Sequence, residues 1–179
     1  MKIIAGLGNP GIQYKNTRHN AGFMAIDHFL KGKATIACQS KFKAQICELH
    51  FGSTKVFFVK PQSYMNLSGQ ALTEIMQYYK VNPTEDLMVI HDDKDLPFGQ
   101  VKLTNNSGSA GHNGIKDILA KLGTQEFERV RIGIESRPSD TPIDTADFVL
   151  QKFTDEELNT LNQNILPSID NLIEEFLAK

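Results

Sequence analysis

The sequence predicts an α/β fold: a single domain of three layers, with a mixed, twisted central sheet flanked by helices. Three observations predict it. Strand-like and helix-like stretches mix along all 179 residues, with no internal repeat or low-complexity break. Several strand candidates are continuous apolar runs, as strands covered on both faces are. Two neighbouring candidates are joined by Gly52-Ser53, a hairpin signal that makes part of the sheet antiparallel.

Each element follows from its local pattern. Lys2 to Leu7 is short, apolar and runs into glycine, as a buried strand does. Phe23, Ile26, Phe29 and Leu30 fall at helical spacing, with Asn20 placed to act as N-cap. Ala44 to His50 and Lys55 to Lys60 are the hairpin strands, and Pro61 stops the second. A helix is predicted over Ser68 to Tyr79 through Leu72, Ile75, Met76 and Tyr79. Leu87 to His91 reads as a central strand, and Val101 to Thr104 as another. Asn113 to Leu122 carries Ile115, Ile118, Leu119 and Leu122 on one helical face. Arg129 to Ile134 alternates charge with Val130, Ile132 and Ile134, a strand with one wetter face. From Thr154 the pattern is an amphipathic helix pair broken at Pro167, opened by a capping box of Thr154 and Glu157.

Composition narrows the class. Apolar residues make up 40% and charged residues 22%, which fits an ordinary soluble globular protein. Cys38 and Cys47 are too few for a disulfide framework and lie in apolar, strand-like surroundings, so they are expected to be reduced core residues. The apolar N-terminal run is shorter than a signal-peptide core and no segment approaches a membrane span, so a cytoplasmic protein with no membrane partner is expected. A net charge of −2 and a pI near 6.2 argue against coating nucleic acid through bulk charge. A local basic patch that grips one end of an RNA remains compatible.

Gly6-Leu7-Gly8-Asn9-Pro10-Gly11 spells the dinucleotide fingerprint, yet the helix it needs does not start within the glycines. Pro10 and the polar stretch to Arg18 intervene, and Asp27 lies in the helix instead of ending a second strand. The better reading is a tight turn that sets Asn9 at a strand's carboxyl end. Four further polar clusters sit at strand ends or helix starts: Thr17-Arg18-His19-Asn20, Tyr64-Met65-Asn66, His91-Asp92-Asp93-Lys94-Asp95 and Gly111-His112-Asn113-Gly114. Singly, each reads as a cap or a surface turn. If they converge, they supply an imidazole, carboxylates to orient it, and carboxamide donors for a developing oxyanion, the components of water-mediated acyl transfer.

Two rival chemistries fit less well. Asp92, Asp93 and Asp95 with His91 suggest a hard-metal site, but Asp92 and Asp93 point to opposite sides of a continuing strand. Cys38, Cys47 and His50 lack zinc-ligand spacing. Ser68, Asp92 and His112 follow the α/β-hydrolase order, but no G-x-S-x-G elbow exposes such a serine. The expected site therefore uses no metal and no cofactor.

Taken together, these stretches resemble the bacterial peptidyl-tRNA hydrolases. The matching segments are GLGNPG with Tyr14, TRHNAG, KPQSYMNLSG, HDDKDLPFG, AGHNG and FERVRIGI, in the family's order and spacing. The resemblance implies hydrolysis of the ester between tRNA and a peptide or N-blocked aminoacyl group. It implies His19 as general base, Asp92 as the carboxylate that holds it, and Asn9 as the residue that tells a blocked amino group from a free one. Asn66 and Asn113 would position substrate and water, Tyr14 and Tyr64 would contact the ester end of the tRNA, and Met65 would wall the cleft. Lys102 and Arg131 would approach tRNA phosphate. The implied partner is peptidyl-tRNA, through its 3′ acceptor end and phosphates, with no DNA partner, and the implied state is a monomer. Thr104, Lys94 and the glycine-poor segment 105–109 depart from the usual pattern and bear on tRNA affinity rather than on the base. The alternatives are an inactive RNA-binding factor of the same fold and an NAD-dependent oxidoreductase.

Overall fold

A computed structural model describes residues 1–33, 37–137 and 143–179. The strands are β1 (Lys2–Gly6), β2 (Ala37–Lys41), β3 (Ala44–Phe51), β4 (Thr54–Pro61), β5 (Leu87–Pro97), β6 (Val101–Thr104) and β7 (Glu128–Glu135). The helices are α1 (Ala21–Leu30), α2 (Ser68–Tyr79), α3 (Pro83–Asp86), α4 (Asn113–Leu122), α5 (Thr145–Leu150), α6 (Asp155–Thr160) and α7 (Leu166–Ala178). The strands form one mixed sheet in the order β2-β3-β4-β1-β5-β7-β6. The four central strands are parallel, and antiparallel pairs close both edges.

Alternation along the central strands builds two cores, one on each face. Ile4, Phe58, Met88 and Ile90 pack beneath α1, α5 and α7, whereas Ile3, Ala5, Phe57, Val59, Leu87 and Val89 pack beneath α2 and α4. The three expected layers are therefore present. The hairpin at Gly52, the α2 and α4 helices and the β6 strand fall where their patterns place them.

Four expectations are corrected. Cys38 and Cys47 are not free thiols: they are joined by a disulfide. Cys38 lies on β2, a fully exposed edge strand with no apolar alternation to announce it, and its register sets it directly opposite Cys47 on β3. The tail does not break at Pro167. A wider helical turn over Leu161–Ile165 carries α6 into α7, and Pro167 falls just past that turn, at the start of α7. Asn20 precedes α1 but its side chain does not cap it, because both ends of that carboxamide are used elsewhere. Finally, α3 and α5 form where no helix was predicted; both are too short to show a periodicity.

β1 ends at Gly6, opposite Ile90, whereas β5 runs on to Pro97 beside β7. The overrun leaves one flank of His91 to Asp93 open at the carboxyl ends of the strands. β1 connects toward β4 on one side and lies against β5 on the other, so this opening is the switch point of the sheet, where open α/β folds build their sites.

Candidate active site

Four segments meet at this opening, and glycines set how closely they approach. A Cβ on Gly6 would lie 2.3 Å from the Gly22 carbonyl oxygen, and one on Gly22 would lie 2.3 Å from that of Ile90. One on Gly8 would strike the Phe23 ring at 2.6 Å. The glycines of the GLGNPG turn thus let α1 sit directly on β1 and β5; they do not cradle a pyrophosphate. Leu7 donates its N–H to Ile90 and accepts the Phe23 N–H, which welds the strand end to the start of the helix.

The turn before α1 carries Arg18, His19 and Asn20, all buried. Asn20 reaches back across the cleft: its Oδ1 accepts the Asn9 N–H at 2.9 Å and its Nδ2 donates to the Asn9 carbonyl at 3.0 Å. Arg18 turns the other way, donating to both carboxylate oxygens of Glu157 at 2.8 Å and stacking on Phe148 and Phe153. No pattern in the sequence announces that Arg18 ties this turn to α5 and α6.

His19 Nδ1 lies 2.9 Å from both oxygens of Asp92, which is almost wholly buried. The expected base and its expected orienter are therefore brought together. Burial disfavours the charged ring, but the Asp92 charge and hydrogen bond outweigh it, and the His19 pKa is raised above its ordinary value. Burial also opposes ionisation of Asp92, yet the imidazoles of His19 and His112 hold its carboxyl far below the usual range.

His112, which the sequence suggests only as the histidine of an α/β-hydrolase order, meets the same carboxylate. Its Nδ1 accepts the Ile115 N–H at 3.2 Å as the N-cap of α4, and its Nε2 lies 3.0 Å from Asp92 Oδ1. The ring proton therefore sits on Nε2, facing the carboxylate. The ligand atoms of His19, Asp92 and His112 lie within 4.8 Å of one another, close enough for a metal ion. An ion there would need the lone pair of His112 Nε2 and would drive the proton onto Nδ1, against the Ile115 N–H. The donor set is thus built for hydrogen bonds. His91 packs edge-on to His112, gives its Nδ1–H to the Asp92 backbone carbonyl, and has no partner for Nε2 among the described residues. Burial, followed by repulsion from His112, keeps its pKa well below the ordinary value.

Asn9 Oδ1 accepts the Met65 N–H at 2.8 Å, which leaves the amide NH2 as the group's free end. Met65 is buried against Gly114, at the start of α4. Tyr14 and Tyr64 meet edge to face with centroids 6.4 Å apart at the outer lip. Asn66 and Asn113 are exposed there, and Asn113 also borders a cavity of about 280 Å³ lined by His19, Asp92, His112 and, across from them, Asp144 to Ala146. A more open cleft of about 540 Å³ lies on the other side of Asn9, along α1.

The basic pair is less uniform than expected. Lys102 and Arg131 are cross-strand neighbours, and Lys102 is exposed. The Arg131 guanidinium, however, is engaged by the buried carboxylate of Asp93. Opposite Thr104 stands Arg129, a basic residue expected in a strand with one wetter face. It is buried and donates to the carbonyls of Ser107 and Gly108, ordering the loop that leads to His112.

Known proteins match over the same span. The sequence profile of the family described as peptidyl-tRNA hydrolase covers residues 3–179. A peptidyl-tRNA hydrolase of Desulfitobacterium hafniense is 47% identical over 163 residues, spanning 91% of this chain and 86% of the relative. One from Bacillus cereus is 44% identical over 179 residues, covering 100% and 94%. The crystal structure of the Acinetobacter baumannii peptidyl-tRNA hydrolase superposes with a TM-score of 0.82 at 30% identity, over 99% of this chain and 91% of that one. With its mixed seven-stranded sheet and the His19–Asp92 pair at the switch point, the chain belongs to the peptidyl-tRNA hydrolase family.

Proposed function

We propose that this chain hydrolyses the ester joining tRNA to a peptide or an N-blocked aminoacyl group, with His19 as general base. One observation carries the residue assignment. His19 Nδ1 is turned onto Asp92, which leaves Nε2 as the ring's proton-accepting nitrogen at the open end of β1. In this reading Nε2 takes a proton as water attacks the ester carbonyl carbon, and Asp92 stabilises the imidazolium. The tetrahedral intermediate then collapses, the bond between the acyl carbon and the ribose oxygen breaks, and the same proton passes to that leaving oxygen.

Asn9 is assigned the discrimination step. Its oxygen is occupied by Met65 N–H, so the site offers N–H donors to the substrate. Donors suit the carbonyl groups of a blocked substrate and repel an ammonium, which also loses water without gaining acceptors. Asn66 and Asn113 are assigned to substrate and water positioning, Tyr14 and Tyr64 to the ester end, and Met65 to the wall of the cleft. The tRNA 3′ end would enter over these lips, with Lys102 and Arg131 toward phosphate. The chain is proposed to act as one domain and as a monomer in the cytoplasm, freeing tRNA from peptides stranded during translation.

The test is incubation with N-acetyl-aminoacyl-tRNA and with the matching free aminoacyl-tRNA, following acyl release. Cleavage of the blocked ester alone is expected. Asn9→Asp, which exchanges a donor for an anion, should narrow the ratio of the two kcat/KM values. An unchanged ratio would place discrimination elsewhere, and no release from the blocked substrate would end the reading.

A further inference from the structure

Asp92 is shared. His19 Nδ1 lies 2.9 Å from both of its oxygens, and His112 Nε2 lies 3.0 Å from Oδ1, the one they share, in a pocket where the Asp92 side chain is almost wholly buried. The tautomer that lets His112 donate is imposed by the peptide backbone, because the first turn of α4 presents the Ile115 N–H to its Nδ1. A carboxylate oxygen that already accepts one strong donor attracts a second less strongly.

We propose that His112 is a positioning residue for the hydrolysis: its cap-fixed Nε2–H takes a share of the Asp92 carboxylate and thereby limits how tightly Asp92 holds His19 in its protonated form. The proposal rests on His19 as the base. Without the competing donor, Asp92 would lean wholly on His19, and the ring would remain protonated over more of the neutral range. A protonated ring cannot accept the proton of the attacking water, so the sharing keeps the base available.

The groups that surround this carboxylate are few. His19 faces it from the turn before α1, His112 from the start of α4, and His91 lies beside it on β5. Arg129 on β7 stands behind His91, while Asp93, Lys94 and Asp144 border the adjoining cavity. Among the described residues, only His19 and His112 bond the Asp92 side chain.

Separating this role from simple helix capping needs a substitution that keeps the cap. His112→Asn does so, because asparagine is a favoured N-cap and can accept the Ile115 N–H, but its short amide does not reach Asp92. The expected result is a wild-type melting temperature and an alkaline plateau of kcat/KM within a few-fold of wild type. The acid limb should move upward, with kcat/KM at pH 6 falling about tenfold, the effect of releasing one charge-assisted hydrogen bond. His112→Ala should show the same displaced limb and a lower melting temperature. A wild-type pH profile in His112→Asn would make His112 a cap alone and overturn the proposal. Equal loss at every pH, with the limb unmoved, would overturn it too. Near-normal turnover in His19→Ala would instead remove the base assignment, and the proposal with it, so the two failures are distinguishable.

Discussion

Gly22 gives the most direct test of how packing positions the chemistry. Replacing it with alanine places a methyl group 2.3 Å from the Ile90 carbonyl oxygen on β5 and 2.4 Å from the Leu7 nitrogen just past β1, both backbone atoms of buried residues. Ordinary contact begins near 3.4 Å, so the overlap is 3.4 − 2.3, or about 1.1 Å. Neither strand can yield easily, since β1 and β5 are paired on both sides. α1 must therefore retreat by roughly 1 Å, and His19 sits three residues ahead of Gly22 on the turn that leads into it. A retreat of that size stretches the 2.9 Å bond from His19 to Asp92 beyond hydrogen-bond range. Displacing a catalytic group by about 1 Å costs on the order of 100-fold in rate. The same crowding should cost about 1–3 kcal/mol of stability. Urea denaturation and kcat/KM on N-acetyl-aminoacyl-tRNA, both at a temperature where the variant is fully folded, measure the two effects. A folded Gly22→Ala protein with wild-type turnover would refute the claim that this helix contact fixes His19.

Other outcomes follow from the same geometry. His19→Ala should lower turnover by about 10²- to 10⁴-fold, and Asp92→Asn by less. Because the His19 pKa is raised and the base must be neutral, wild-type kcat/KM should fall as pH drops through that raised value; a flat profile down to pH 5 would exclude it. Lys102→Ala should raise KM for tRNA substrates more than it lowers kcat, and should flatten the salt dependence of binding by roughly 0.7–0.9 in log–log slope. Arg131→Ala should do so less, since Asp93 already engages that guanidinium; equal effects would contradict the pairing. His91 is buried with a depressed pKa, so the unfolded chain binds its proton first as pH falls below about 6.5. Native stability should then decline by up to about 1.4 kcal/mol per pH unit for this group, and His91→Gln should remove that share of the slope in urea titrations between pH 6.5 and 5. His19, whose pKa moves the opposite way, stabilises the fold below 6.5 and withdraws as pH rises through its own value, so the comparison with His91→Gln is needed to isolate one proton.

The parts of the fold legible in the sequence are those where burial writes a period. α2 and α4 each present one apolar stripe to a sheet face, and their bounds were predicted to the residue. β2 was invisible because all five of its residues are exposed at the sheet's edge, so no alternation marks them. Without β2, nothing in the sequence could show that Cys38 faces Cys47. At the site, His19, Asp92 and Asn9 stood out through the family resemblance, and the structure brings the first two into contact. The share that His112 takes in Asp92 was not legible, because its tautomer depends on a backbone amide three residues away that exists as a free donor only once α4 has formed. Arg129 was hidden for a related reason. Its alternation with Val130 looked like a wet strand face, while its guanidinium is spent on two loop carbonyls.

The packing of segments far apart in sequence has a consequence for folding. β1 precedes every other described element, yet it takes the middle of the sheet between β4 and β5. One face of that sheet is roofed by Ile165, Ile169, Ile173 and Phe176, far downstream of β1, and Lys2 is buried with its ammonium on the Phe176 carbonyl. β1 therefore finds its strand partners at β4 and β5, but one of its faces stays uncovered until α7 has followed. Such long-range closure slows folding and prolongs the exposure of sticky surface during translation. A chain truncated within α7 would hold every strand partner of β1 and still leave one face of that central strand bare.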